Sequence, residues 1–205
     1  MSLQGKATNA GWIESLLVMA TPAIVDPRIR RTRLLLQHAL EALLKENDFD
    51  QISVQDIADA ATVNRVTFYA HYPDKFALLE CVVARRLQEL LTERNIKFDG
   101  TCNSALTAVV LGVCDYLART QANLGPHLEM AVIAVVRRQL LEGMRQSPSE
   151  APVPPEMIAT TLSWAICGAA REWLRTPDRG SSEEILPGIM KLVSPILAVA
   201  HAPLA

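Results

Sequence analysis

A short stretch of the sequence, residues 62–72 (TVNRVTFYAHY), concentrates hydrogen-bonding side chains and contains no acidic residue. Arg65 is able to donate two parallel hydrogen bonds to a guanine edge, and the hydroxyl groups of Thr67 and Tyr69 are able to reach phosphate oxygens. His71 adds a further donor to the same segment. These residue types, close together and free of carboxylates, are typical of a segment that enters the major groove of DNA.

Further candidate contacts flank this stretch. Val66 offers an apolar surface of the kind that meets a thymine methyl group. Lys75 falls in the first turn of the following helix, where its cation and the free backbone N–H groups suit phosphate. Four arginines within residues 28–33 form a basic cluster, which lies either along a phosphate strand or on an ordinary solvated helix face. The predicted DNA-binding residues are Gln55, Arg65, Val66, Thr67, Tyr69, His71 and Lys75.

Helices must position these side chains. The spacing of apolar residues predicts three helices, at 28–47, 53–60 and 64–71. Asp26 followed by Pro27 is a typical helix start, and Ser53 and Asn64 are typical N-cap residues for the second and third helices. The last two helices are joined by a tight turn at 61–63. This arrangement predicts a helix-turn-helix, in which the third helix recognises DNA.

The remainder of the chain is also predicted to be helical. The periodicity gives further helices at about 74–97, 103–119, 126–146, 155–175 and 182–200. A linker rich in proline and serine is expected at 147–155, and Pro195 is expected to kink or split the last helix because proline lacks a backbone donor. No alternation typical of strands persists, so the fold class is predicted to be all-α.

Composition limits the kinds of function. The 205 residues carry a formal net charge of −2, and residues 26–75 hold seven Lys/Arg against eight Asp/Glu. A DNA contact must therefore come from a local patch and not from the total charge. The four cysteines form no C-x-x-C pair, so no metal site and no cofactor are predicted.

The sequence motifs of the common enzyme classes are absent. The chain contains no G-x-S-x-G, H-E-x-x-H, P-loop or G-x-G-x-x-G motif, so no catalytic residue is predicted. The longest apolar runs, such as residues 105–114, stop well short of the roughly 18–20 residues that span a bilayer. Glu14 interrupts the only candidate signal sequence. We expect a cytoplasmic protein that is not an enzyme.

Residues 53–79, SVQDIADAATVNRVTFYAHYPDKFALL, resemble the DNA-binding signature of the TetR family of bacterial repressors, T/S-x-x-x-I-A-x-x-A-G-V-S-x-G-T-x-Y-x-H/Y-F-x-x-K-x-x-L-L. The matching positions are Ser53, Ile57, Ala58, Ala61, Val63, Thr67, Tyr69, His71, Lys75, Leu78 and Leu79. Tyr72 replaces the usual Phe. Thr62 replaces a Gly in the turn, so the backbone there must either manage without glycine or store slight strain. Asn64 replaces a Ser, and Val66 replaces a smaller residue.

The resemblance implies an organisation and a function. Residues 1–27 would be an extension, 28–75 a helix-turn-helix DNA-binding domain, and 76–205 a helical ligand-binding and dimerisation domain. The seven DNA-binding candidates occupy positions that face DNA in this family. The expected partners are a palindromic double-stranded operator, a second copy of the chain and a small-molecule effector, apolar or aromatic by the composition of the domain. Candidate effector-binding residues are Leu111, Cys114, Tyr116, His127, Met130 and Trp164, with Arg138 beside them.

Two apolar stripes suit dimerisation through a four-helix bundle. The first is Ile158, Leu162, Ala165, Ile166, Ala169 and Trp173, and the second is Ile185, Ile189, Leu192, Val193, Ile196 and Leu197. The alternative is that both stripes fill the core of a single chain. For function, the prediction is a repressor that its effector releases from DNA. The alternatives are an activator, or a helical dimer that binds a ligand or a protein without specific operator binding.

Overall fold

The computed structural model describes residues 26–94, 102–120, 125–146 and 153–199. Within these ranges the chain is all-α, as predicted, and contains no strand. The helices are α1 (Pro27–Leu43), α2 (Val54–Ala60), α3 (Arg65–His71), α4 (Lys75–Glu93), α5 (Cys102–Thr120), α6 (Pro126–Gln146), α7 (Pro155–Arg175) and α8 (Ser182–Val199). A single 3-10 turn, Phe49–Gln51, precedes α2. Residues 1–25 of the extension predicted at 1–27 and most of the linker predicted at 147–155 lie outside the described residues, and Pro27 already belongs to α1.

Side-chain caps fix where the first four helices begin. Asp26 accepts a hydrogen bond from the Arg28 N–H at 2.8 Å ahead of Pro27. The predicted caps of α2 and α3 are confirmed, since the Ser53 and Asn64 side chains accept from backbone N–H groups in the first turn. The Ser53 cap is a complete capping box, in which Asp56 accepts in return from the Ser53 N–H.

The turn between α2 and α3 closes by two backbone hydrogen bonds. The Val63 N–H donates to the Ala58 carbonyl at 2.9 Å, and the Thr62 N–H donates to the Asp59 carbonyl at 3.0 Å. This is the Schellman pattern, which requires a left-handed residue after the C-cap. Thr62 takes that role with a φ of 56°, a conformation that glycine adopts at lower cost. Of the two alternatives expected for this turn, the structure therefore shows the slight strain.

We call residues 26–74 the head and residues 102–199 the body, with α4 packed against both. One continuous apolar core joins them. In the head, α1 contributes Leu36 and Leu40, and α3 contributes Phe68; all three are fully buried. In the body, α5–α8 bury rows of aliphatic side chains at helical spacing. These include Leu106, Val110, Val113, Val132, Val136, Leu140, Leu162, Ile166, Ile189 and Val193.

Some details differ from the sequence predictions. Helix α1 ends at Leu43 and α4 ends at Glu93, each about one turn earlier than expected. Ile29, predicted to face the core, is 40% exposed because it lies in the first turn of α1, beyond the helices that pack on it. Helix α8 is not split at Pro195, since it continues through both Pro187 and Pro195 to Val199.

The predicted dimer stripes are mostly used within one chain. Ile158, Leu162, Ile166, Trp173, Ile189, Val193 and Leu197 are all buried against the other body helices. These residues therefore agree with the alternative prediction, in which the stripes fill the core of a single chain. Leu192 of the second stripe is exposed, and so are Met157, Trp164 and Val199, which belong to neither stripe.

Candidate nucleic-acid interface

Helix α3 buries one face and presents the other to solvent. Phe68 is fully buried and Tyr72 is 5% exposed, as their spacing predicted. Burying a side chain of the size of Phe68 contributes about 1.5–3 kcal/mol, which holds the short helix on the head. On the outer face Val66 is 78% exposed and Tyr69 is 46% exposed. Arg65 is exposed beside them, so these three predicted contact residues share one accessible surface.

Local hydrogen bonds orient the outer side chains of α3. The Arg65 guanidinium lies 5.5 Å from the centre of the Tyr69 ring and donates to its hydroxyl at 3.3 Å. The hydroxyl of Thr67 donates to the Asn64 side chain at 2.9 Å, which leaves the Thr67 methyl group and hydroxyl lone pairs for other contacts. Gln55, exposed on α2, donates to Asp59 at 2.8 Å, so its carbonyl is free to accept.

His71 sits at the end of α3, half-buried. Burial lowers the pKa of its imidazole below the usual value, and the positive charge of Arg33 lowers this pKa further. The imidazole of the free protein is therefore more often neutral than an exposed histidine at the same pH. A phosphate placed against it would favour the charged form and reverse the shift.

Lys75 does not point freely toward solvent. Its ammonium donates to the backbone carbonyls of Phe49 and Ile52, each at 2.8 Å, and to that of Asp50 at 3.4 Å. The same group lies 4.5 Å from the centre of the Phe49 ring. These contacts engage all three ammonium donors. The side chain predicted as a phosphate ligand thus holds the 3-10 turn against the start of α4.

A polar chain ties the end of α3 to α1 and α4. Gln37 donates to the Tyr72 hydroxyl at 3.0 Å and accepts from the Arg85 guanidinium at 3.0 Å. Arg85 in turn binds Glu41 and Glu89, each at 2.5 Å. Tyr72 stands where the family signature has phenylalanine, and its hydroxyl takes part in a network that joins α1, α3 and α4.

Helix α6 contacts both the head and α4. His127 Nε2 lies 2.8 Å from a carboxylate oxygen of Asp50 in the 3-10 turn. The ring centres of Phe49 and Phe76 lie 5.6 Å and 5.3 Å from that of His127. Farther along α6, Arg138 binds Glu80 of α4 at 2.9 Å. The sequence offered His127 as an effector contact, but nothing in it indicated that Asp50 would be the partner.

The structure does not bring the six candidate effector-binding residues together. Leu111 and Cys114 are buried in the body core, and burial raises the pKa of the Cys114 thiol to about 12. Met130 and Trp164 are 50% and 51% exposed on α6 and α7 of the single chain, apart from the buried candidates Leu111 and Cys114. These two apolar side chains point away from the core that their helices share.

Tyr116 and His127 line a cleft of about 940 Å³ between head and body. Tyr116 is buried, which raises the pKa of its phenol to about 12, so the ring is neutral at physiological pH.

An ion-pair network fastens the far end of α4, and sequence reasoning did not find it. Arg94 binds both carboxylate oxygens of Asp115 on α5, and it donates to the Ser182 hydroxyl at 2.6 Å. It also donates to Glu183 at 2.5 Å. Arg94 lowers the pKa of the Glu183 carboxyl to about 2. The network therefore links the helix that carries the head to α5 and α8.

In the part of the chain that the structure describes, no group of three or more His, Cys, Asp or Glu side chains is placed to hold a metal ion. In the same residues, no helix is both long and apolar enough to cross a membrane.

Comparisons with known proteins point to one family. Residues 36–82, which cover α2, α3, and parts of α1 and α4, match the sequence profile described as bacterial regulatory proteins, tetR family. The chain is 36% identical over 73 residues to the uncharacterized HTH-type transcriptional regulator YxbF of Bacillus subtilis strain 168. That alignment covers 35% of this chain and only 19% of YxbF.

Solved structures share the fold over most of the chain. Lin0861 from Listeria innocua has a TM-score of 0.58 at 20% identity, over 86% of this chain and 96% of that chain. FadR of Thermus thermophilus, a TetR-family transcriptional repressor solved with lauroyl-CoA, has a TM-score of 0.52 at 22% identity, over 84% of this chain and 98% of that chain. Residues 36–82, which hold the helix-turn-helix of this chain, are therefore similar to the tetR family of bacterial regulatory proteins, and the rest of the chain shares the all-helical fold of these solved structures.

Proposed function

We propose that this protein is a dimeric, ligand-responsive transcription regulator that represses by binding a palindromic DNA operator. The observation that carries the proposal is the outer face of α3. There Arg65, Val66 and Tyr69 are exposed on a short helix without carboxylates, behind a closed turn. A major groove about 12 Å wide admits such a helix. Arg65 suits a guanine edge, Val66 a thymine methyl, and Tyr69 a phosphate oxygen.

The remaining candidates take supporting roles in the proposal. Gln55, Thr67 and His71 border the exposed face of α3 and are assigned to phosphate or groove-edge contacts. Lys75 is assigned to holding the 3-10 turn through its three carbonyl contacts, so that α2 and α3 keep a fixed position on α4. Its effect on DNA binding then comes through the position of the head and not through a direct ion pair.

Selection from a pool of random duplexes, repeated at two salt concentrations, tests DNA recognition. We expect a palindromic motif with half-sites roughly one helical turn apart and an affinity that falls steeply with salt. Arg65→Ala should reduce the binding free energy by about 1–3 kcal/mol and relax the base preference at one position of the operator. Tyr69→Ala should weaken binding to all DNA sequences alike. Arg175→Ala, an exposed arginine on α7, is the matched control. Failure to enrich any motif would favour the helical dimer without operator binding.

The second copy is proposed to dock on the exposed apolar face of α7 and α8. Met157 and Trp164 on α7 are 60% and 51% exposed, and Leu192 on α8 is 66% exposed. Gly168 lies on the same face of α7 with open space where a side chain would project, which allows another helix to approach closely. Burying this face in a two-fold interface removes the apolar surface from water.

Dimerisation is measured by sedimentation over a range of protein concentrations. Trp164→Lys should raise the dissociation constant of the dimer at least about tenfold, because it places a charge in an apolar contact. Met130→Lys makes the same change at an equally exposed site on α6 and should leave the dimer unchanged. Equal behaviour of the two variants would exclude this face as the interface.

A further inference from the structure

A cleft of about 940 Å³ lies between head and body. Its head side is formed by the end of α1 and the residues through the 3-10 turn. Its other sides are the middle of α4, the end of α5 and the start of α6. The volume falls in the range of small-molecule sites, roughly 300–1,000 Å³. Neither the family profile nor the relatives assign a role to this cleft, and the body interior predicted to hold the effector is packed at Leu111 and Cys114.

The cleft has an apolar floor. Leu90, Tyr116 and Leu128 contribute side chains that are otherwise buried, and Leu44 is half-buried beside them. A neutral phenol among aliphatic side chains offers a flat surface to an aromatic or aliphatic group. The floor therefore favours a ligand with an apolar body.

The charges around the floor favour an anion. Among the charged side chains of the lining, Glu41 is bound by Arg85, Arg86 is engaged by Glu41 and Glu89, and Asp50 is bound by His127. Lys45 has no ion pair within the described residues, and neither does the exposed Asp48.

Arg119 is a second available cation of the lining, beside Lys45. Its ion pair is with Glu93, which lies outside the cleft, and the two side chains are 55% and 52% exposed. Exposed pairs of this kind contribute about 0–1 kcal/mol, so a ligand carboxylate displaces Glu93 at little cost.

We infer that the cleft between head and body binds a small organic anion with an apolar body, and that this ligand is the effector of the proposed regulator. The inference rests on the proposed function. The cleft is bounded at one edge by the 2.8 Å contact between His127 and Asp50. Asp50 belongs to the 3-10 turn that Lys75 holds against α4. A ligand that wedges between this turn and α5–α6 moves the head relative to the body, and so changes the separation of the two recognition helices in a dimer.

Such coupling requires that the ligand bind one head position more tightly than the other. A site with one side on the head and the others on α4 and the body meets this requirement directly. A ligand enclosed within the body would have to act through α4 alone. The position of the cleft thus gives the effector a short mechanical path to the DNA-binding surface.

The test uses 8-anilinonaphthalene-1-sulfonate, an aromatic anion whose fluorescence rises on binding, titrated into the full chain. We expect one saturable site per chain. Arg119→Met and Lys45→Met should each weaken probe binding at least about fivefold, a loss in the range of one charge-assisted contact. Arg175→Met removes an arginine of similar exposure from α7 and should leave probe affinity unchanged. Circular dichroism of each variant checks that the fold is retained.

The second arm adds the probe to the complex with the selected operator. We expect the probe to weaken operator binding by wild-type protein at least about fivefold, and to have much less effect on Arg119→Met. Absence of saturable binding, or binding that ignores both Arg119 and Lys45, overturns the cleft as an anion site. Binding at the cleft without any change in operator affinity overturns its role as effector site. If no operator is found, the proposed function fails, while the first arm still decides whether the cleft binds the anion.

Discussion

Replacing Arg94 with methionine removes the centre of the network that joins α4, α5 and α8. The change keeps most of the aliphatic volume and deletes the charge. It leaves Asp115, only 13% exposed, with the Ser182 hydroxyl as its remaining partner at 2.8 Å. Removing one member of a fully buried ion pair costs about 3–5 kcal/mol. Because the Arg94 side chain is 23% exposed and Ser182 still donates, we expect a loss of about 2–3 kcal/mol.

The measurement is urea denaturation followed by circular dichroism at one fixed protein concentration, since dimerisation makes apparent stability depend on concentration. The expected loss corresponds to a decrease in Tm of about 4–12 °C for a chain of this size. Arg119→Met is the matched control, because Arg119–Glu93 also joins α4 and α5 but is exposed. It should cost less than about 1 kcal/mol. Adding Asp115→Asn to Arg94→Met should recover part of the loss.

The same network gives the stability a pH dependence. Glu183 has its pKa lowered to about 2 by Arg94 in the folded chain, against a usual value near 4.5. The contribution of this pair is therefore present above pH 4.5 and is lost as the pH falls toward 2. Arg94→Met should flatten the stability profile in that window. A loss below about 0.5 kcal/mol for Arg94→Met, with an unchanged acid profile, would refute the assignment of this network as the fastening of α4.

Three further predictions concern the head. Operator affinity should rise as the pH falls from about 8 to about 6, because a DNA phosphate raises the lowered pKa of His71 and binding then takes up a proton. The measurement is a pH series of binding titrations on the wild type and His71→Gln. The same pH response in both proteins would contradict the prediction. Thr62→Gly should stabilise the chain by about 0.5–1 kcal/mol in urea denaturation, since glycine removes the cost of a left-handed threonine, and Thr62→Val should give no such gain. Lys75→Met should destabilise the chain by about 1.5–3 kcal/mol through its lost carbonyl contacts. It should also leave the salt dependence of operator binding unchanged, and a salt slope smaller by about one would instead indicate a direct phosphate contact.

Much of the architecture was predictable because its signals are local. Ser53 and Asn64 cap the helices that they were expected to cap, since a side-chain oxygen near the first N–H groups needs no tertiary partner. The outward and inward faces of α3 follow from the spacing of Phe68 against Val66 and Tyr69. The turn at 61–63 was expected from the residues between the two helices, whereas its left-handed conformation at Thr62 was seen only in the structure.

Partner choice was decided only by the tertiary structure. Lys75, His127 and Arg94 are charged side chains whose spacing along the helix gives no information about what lies opposite. Lys75 meets carbonyl groups more than twenty residues away, and Arg94 meets Ser182 and Glu183 across nearly ninety residues. The faces of α7 and α8 were ambiguous for the same reason. Both helices carry apolar residues on more than one side. Only the packing of α5 and α6 against them determined which of these residues fill the core. Leu162 and Val193 are buried there, whereas Trp164 and Leu192 remain on the surface.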